Sequence, residues 1–182
     1  MRSLCVSLCV ASLCLASCSK HPLNYETAMN LLRDRNTDPV KTTFSASPRF
    51  ATDDPKVVDA YNRLMDGHVL ECNDGGSIGM ICQPGPAGDA ITQSGVSDLT
   101  IVAGRWTPSV ITKLTQTSRN SATAEIRMAF QASPLFAEYE SSFDAIQNQT
   151  NSLISLAERK EGKVVRVNYQ QYEDGWHLES VD

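Results

Sequence analysis

The chain has 182 residues, 41% of them hydrophobic, and carries 21 Asp and Glu against 16 Lys and Arg, a net charge of −5. That length fits one domain with room for a substantial core. The acidic balance argues against nucleic acid as a partner, and no run of like charges is long enough to form an interaction tail.

Met1-Arg2 opens with a single positive charge, and Leu4 to Leu15 follow as an uncharged run of apolar or small residues. The run is too short for a membrane-spanning helix, which needs about 20 apolar residues. A charged start, a short apolar core and small residues before a cut are the marks of a secretory signal. Here Leu15-Ala16-Ser17 leads into Cys18. These four residues resemble a bacterial lipobox.

The resemblance implies a signal peptide over residues 1–17 and one periplasm-facing domain over 18–182. Cys18 would be the lipidated first residue of the mature protein, palmitate among its acyl chains. Ser19, rather than Asp, after the cysteine favours the outer membrane over the inner. One acyl chain anchors marginally, whereas several make attachment stable. Cys5, Cys9 and Cys14 belong to the apolar run of the signal. Without Arg2 the mature balance is 15 basic residues against 21 acidic.

Cys72 and Cys82 remain. In an oxidising envelope a disulfide is the default. Closing so short a loop stabilises a fold by roughly 2–3 kcal/mol in the chain-entropy model. A metal site is the rival reading. It needs two further ligands, and none stands nearby at a metal-binding spacing. No cofactor is implied.

In chain order, Asn24 is positioned to cap a helix running to Arg35, with Tyr25, Ala28, Met29 and Leu32 at helical spacing. Asn36 to Arg49 reads as loop, punctuated by Pro39 and Pro48. Asp53-Asp54-Pro55 starts a second helix, with Val57, Val58, Tyr61, Leu64 and Met65 inward and Gly67 as its stop. His68 to Cys72 follows as a short strand. A helix, a glycine and a strand faintly resemble half a winged helix, but a helix docked on a sheet is the plainer reading.

Asn73 to Gly95 is rich in glycine and proline, which resist both helix and strand. Long unstructured stretches in compact domains tend to be functional or disordered. With a Cys72–Cys82 bridge pinning its first half, Gln83 to Gly95 is left as a mobile candidate for partner binding, with Gln83, Gly85, Asp89 and Gln93 as its contact residues. Gly75-Gly76-Ser77-Ile78-Gly79 lacks the lysine and the context of a phosphate loop.

Leu99, Ile101 and Ala103 mark a strand ending at Gly104, and Val110 to Thr117 forms the next. Ser118-Arg119-Asn120 turns into Ser121 to Gln131, which alternates. Ala122, Ala124, Ile126, Met128 and Phe130 face one way, and Thr123, Glu125, Arg127 and Gln131 the other. Ser133-Pro134 opens a long helix to Glu161, striped by Phe136, Tyr139, Phe143, Ile146, Thr150, Leu153 and Ala157. Lys163–Glu173 and Trp176–Val181 form a hairpin about Asp174-Gly175, pairing Glu173 with Trp176 and Tyr172 with His177. Val165, Val167, Tyr169, Trp176 and Leu178 then make its core face.

No nucleophile elbow and no zinc-protease motif occurs, so no catalytic residue is assigned. The three histidines read as ordinary polar residues. The fold class is α+β: an antiparallel sheet packed against a long helix, with two N-terminal helices. The helix-on-curved-sheet plan is similar to cystatin-like or nuclear-transport-factor-like folds. The expected role is non-enzymatic binding or structure at the periplasmic membrane surface, with the membrane and an envelope protein as partners. One alternative is an inhibitor or immunity protein against a cell-wall-targeting toxin. Another is a small hydrolase using His177 with Glu179 or Glu125.

Overall fold

The computed structural model describes residues 21–35, 38–47, 54–75, 79–95, 97–147 and 156–182. Cys18 and the rest of the lipobox-like stretch from Leu15 lie outside the described residues, as do Thr150 and Leu153 of the long stripe.

The protein is a mixed α and β domain with a curled antiparallel sheet. Helix α1 (Tyr25–Arg35) begins where the Asn24 carboxamide accepts the Thr27 N–H at 2.8 Å, and it buries Ala28 and Leu32. Helix α2 (Pro55–Asp66) is capped by the Asp54 carboxylate, which accepts from Lys56 N–H at 2.9 Å. It buries Val57, Ala60, Tyr61 and Leu64. Both helices begin where the capping signals put them. Two assignments of faces are corrected: Tyr25 is 58% exposed and Val58 39% exposed.

Strand β1 (Val40–Ser45) lies inside the segment expected to be loop. Its Thr42 and Phe44 alternate inward opposite Ile101 and Leu99. Strands β2 (Leu70–Asp74) and β3 (Met80–Pro84) make a separate hairpin, and β4 (Ile91–Gln93) joins the main sheet. The expectation of an irregular stretch after Asn73 is therefore corrected.

The expected pair of strands before Ser118 is one strand, β5 (Asp98–Gln116). It lies between β1 and β6 (Ser121–Ala132), and β7 (Lys163–Gln171) and β8 (Trp176–Val181) complete the order β1-β5-β6-β7-β8, with β4 on β5. Its pairing skips Ala103 against β1 and Ser109 and Thr112 against β6. Each skipped residue is a bulge, which inverts the alternation and bends the strand. The inward set thus runs Leu99, Ile101, Ala103, then Trp106, Ile111 and Leu114 on one continuous face.

The long helix is also corrected. Helix α3 (Pro134–Glu138) ends at Tyr139, α4 (Glu140–Gln147) follows, and α5 (Leu156–Glu161) precedes Gly162, whose φ is +76°. Of the predicted stripe, Phe136, Phe143 and Ile146 are buried, whereas Ala157 is exposed. Each such buried side chain contributes about 1.5–3 kcal/mol. The Phe136 and Phe143 rings stack at 5.5 Å.

Two apolar clusters share the inner face. One joins α2, α3, α4 and the β2–β3 hairpin to β1 and the start of β5. The other joins α1 to the end of β5 and to β6, β7 and β8. Phe130 links them, packing edge-on to Trp106 at 5.3 Å and to Phe136 at 6.4 Å. Arg159 on α5 is buried against α3 and α4. Its guanidinium binds both Asp144 oxygens at 2.6 Å, approaches Glu140 at 3.4 Å and lies 5.2 Å over the Phe136 ring.

The last hairpin keeps the predicted inward face but shifts register by two residues next to the turn, and by one beyond a bulge at Glu179. Gln171 pairs with Trp176 and Gln170 with His177, so Tyr172 to Gly175 form a four-residue turn. Tyr172 N–H donates to the Gly175 carbonyl at 2.8 Å. A shift of two preserves parity, and Val167, Tyr169 and Leu178 remain buried.

Candidate functional site

The candidate surface is built on the two cysteines. Cys72 and Cys82 pair directly across β2 and β3 and are joined by a disulfide spanning 10 positions. Among the described residues these strands have no third partner, and an isolated hairpin is marginally stable in water. Three further ties hold this one. Cys82 N–H donates to the Ala46 carbonyl at 2.6 Å, Ser47 Oγ–H to the Met80 carbonyl at 3.1 Å, and Gly85 N–H to the Val69 carbonyl at 2.9 Å.

The chain beyond β3 is equally held. Ala87 N–H donates to the His68 carbonyl, Gly88 N–H to Gly85 and Ile91 N–H to Gly88, each at 2.9 Å. On this frame Gln83, Asp89 and Gln93 are exposed, on β3, the turn and β4 respectively. Gln83 Nε2 donates to Glu71 Oε2 at 3.3 Å. Gly85 has a different role: a Cβ there would strike the His68 carbonyl, so it allows close backbone approach. The acids Glu71, Asp74 and Asp89 are all exposed on the hairpin and turn, giving the surface a negative edge. The Gly75–Gly79 stretch lies partly outside the described residues.

His68 adjoins this surface through an unusual conformation. Its φ is +56°, the left-handed region. Val69 N–H donates to the Leu64 carbonyl at 2.8 Å and His68 N–H to Met65 at 2.9 Å. That is the Schellman arrangement, with His68 rather than Gly67 in the left-handed position. Gly67 is needed for space instead: a Cβ there would fall on the Tyr139 hydroxyl, with Cζ at 2.7 Å.

His177 stands apart at the last turn. Its Nε2 lies 2.9 Å from Asp174 Oδ1, and its ring packs edge-on to Tyr172 at 5.3 Å. Glu179 accepts from the Tyr172 hydroxyl at 2.7 Å, which raises the Tyr172 pKa. The hydrogen bond from His177 lowers that of Asp174. Glu125 lies on another strand, 3.9 Å from Arg166. The hairpin thus brings His177 near Glu179 through Tyr172 but pairs the imidazole with Asp174.

Two grooves mark the outer side of the sheet. One of about 510 Å³ lies where β5 and β6 meet α3, with Arg105 donating to Gln131 at 3.2 Å and Ser133 to the Val102 carbonyl at 2.7 Å. The other, about 280 Å³, is lined by Lys113, Thr115, Thr117, Thr123, Glu125, Arg166 and Asn168. Its polar groups bond across strands, Thr123 to Asn168 at 3.2 Å and Asn168 to Ser180 at 2.9 Å. Among the described residues no three His, Cys, Asp or Glu side chains stand close enough to hold a metal ion, and no helix is long and apolar enough to cross a membrane.

Burial pushes the Tyr61 hydroxyl above its ordinary range and that of Tyr169 up to about 12. They donate to the Ser45 carbonyl at 2.6 Å and to the Ala28 carbonyl at 2.9 Å.

Sequence reasoning missed one contact at the other end of the molecule. Trp176 Nε1–H donates to the His21 carbonyl at 2.9 Å, and Gln171 Nε2 approaches the same oxygen at 3.5 Å. No spacing in the sequence signals a side-chain clamp on a backbone carbonyl so distant in the chain. The chain matches no family model, no curated protein and no solved structure.

Proposed function

We propose that this protein is a lipid-anchored lipoprotein of the cell envelope, attached through Cys18 to the outer membrane and facing the periplasm. Its role is non-enzymatic: it binds a protein partner through the braced surface carrying Gln83, Asp89 and Gln93. The observation that supports this most is the frame itself. A disulfide and a chain of backbone hydrogen bonds hold three exposed polar side chains on strands and a tight turn. Preorganised display lowers the ordering cost of binding.

Deleting the segment would strip β4 and its buried Ile91 from β5, so substitution is the proper test. Gln83→Ala, Asp89→Ala and Gln93→Ala combined should leave the circular dichroism spectrum unchanged and abolish co-purification of the envelope partner. Recovery of the same partners by the triple variant would reduce the surface to a connection.

The inhibitor or immunity reading is a version of the same activity. Exposed Glu71, Asp74 and Asp89 on the hairpin and turn suit a basic cleft. It requires that the protein protect cells from a toxin directed to the periplasm, and that Asp89→Lys abolish protection. The hydrolase reading draws less support. The His177 side chain is 46% exposed at a turn and paired to Asp174. Unchanged turnover by His177→Ala on a substrate of the protein would remove the residue from any active site.

A further inference from the structure

The clamp on His21 fixes where the chain enters the domain. Trp176 and Gln171 hold the His21 carbonyl, Leu23 is 6% exposed beneath the sheet, and Asn24 caps α1. Cys18 stands only three residues earlier, a reach of about 10 Å when extended. Any lipid on Cys18 is therefore tethered within that reach of His21, which Trp176 at the start of β8 holds.

Gln171 N–H donates to the Asn120 carbonyl at 2.7 Å, so the Ser118–Asn120 turn lies at this same end of the sheet. The disulfide hairpin sits at the other end. Cys82 donates to the Ala46 carbonyl, and Ala46 N–H to the Ser97 carbonyl at 2.7 Å, next to the first residue of β5. Strand β5 connects the two ends over 19 residues. Its contour is about 60 Å at roughly 3.3 Å per residue, shortened by its curl.

The tether end also has the side chains of a bilayer interface. Tyr25 is 58% and Tyr172 51% exposed, and Arg119 is exposed in the Ser118–Asn120 turn. Tyrosine rings favour the headgroup layer, with an apolar body and a polar tip. Glu173 and Asp174 lie in the Tyr172–Gly175 turn, Glu179 on β8 accepts from the Tyr172 hydroxyl, and these three acids disfavour anionic lipid.

We propose that this end of the domain, with Tyr25, Arg119 and Tyr172, rests on a zwitterionic phospholipid surface, holding the Cys72–Cys82 hairpin on the membrane-distal side. The proposal rests on lipidation of Cys18. The short tether then holds the partner surface away from the bilayer rather than against it.

The test uses the mature chain from Cys18, its disulfide intact, coupled through the Cys18 thiol to a maleimide lipid in phosphatidylcholine nanodiscs. A trace of lipid bearing gadolinium on its headgroup broadens backbone amide signals close to the surface. The amides of Arg119, Tyr172 and Gly175 should be lost, and those of Asp74, Ile81 and Asp89 retained. Tyr25→Ser with Tyr172→Ser should weaken the contrast between the ends while moving the free domain's amide signals only near the two substitutions, as should replacing part of the lipid with phosphatidylglycerol. Broadening that is uniform, or strongest at Asp74 and Asp89, overturns the orientation. Because the anchor is supplied chemically, that result leaves lipidation in the cell to be judged separately by palmitate labelling.

Discussion

The junction of α2 and β2 sets two adjacent substitutions against each other. Gly67 has φ −79° and ψ 2°, a conformation any residue adopts. By backbone reasoning alone, Gly67→Ala should gain about 0.4–1 kcal/mol from a less flexible unfolded chain. Space decides otherwise. The new Cβ meets the Tyr139 hydroxyl, with Cζ at 2.7 Å and Cε1 at 3.0 Å. Displacing that ring from the α3–α4 junction costs about 1–3 kcal/mol as overpacking, so the variant should lose roughly 1–2 kcal/mol net. At His68 the sign reverses. A left-handed non-glycine residue costs about 1–2 kcal/mol. Subtracting the added chain entropy of glycine leaves His68→Gly more stable by roughly 0.5–1 kcal/mol. Urea unfolding with a common slope measures both. In a Tyr139→Ala background the cost of Gly67→Ala should disappear. A neutral Gly67→Ala, an undiminished cost without Tyr139, or a destabilised His68→Gly would refute the reasoning.

Removing the bridge with Cys72→Ala and Cys82→Ala should cost about 3 kcal/mol, lowering Tm by roughly 6–12 °C in a scanning calorimeter. Arg159→Met should cost about 2–3 kcal/mol by chemical denaturation, since Asp144 and Glu140 keep some solvent when the buried cation is removed. Tyr169→Phe should lose about 1 kcal/mol with the hydrogen bond to α1. Tyr169 is also pH-linked: its raised pKa stabilises the fold fully below the unfolded value near 10, and that contribution is lost as pH rises toward about 12. Alkaline unfolding followed by tyrosinate absorbance should accordingly be shallower in Tyr169→Phe than in the parent.

Local signals located much of the fold. Asn24, Asp54-Pro55 and Ser133-Pro134 marked helix starts because capping is a contact within one turn, and Ala122 to Met128 declared an inward face by strict alternation. Three misreadings share a physical cause, namely that a long-range contact overrode the local pattern. Strand β5 read as two strands because bulges at Ala103, Ser109 and Thr112 invert its parity while the face stays inward. Strand β1 alternates in Val40, Thr42 and Phe44, but flanking prolines masked it. Strands β3 and β4 are too short to outweigh the glycines that flank them, although two cysteines meant to pair already implied facing strands. The hairpin turn lengthened from two residues to four, and a register set by turn chemistry alone moved with it. Of the candidate surface, the disulfide was legible and its rigidity was not, since the ties run from backbone groups of Ala46, His68 and Val69. The Trp176 clamp on His21 had no sequence signal at all.

Palmitate labelling of cells expressing the full chain, followed by mass analysis of the N-terminal peptide, tests the central claim most directly. A mature protein that begins at Cys18, carries a diacylglyceryl thioether and fractionates with the outer membrane is the expected result. Cys18→Ser should abolish both the label and the fractionation. An unlabelled protein with a free N-terminus, released unchanged from the periplasm, would contradict the account.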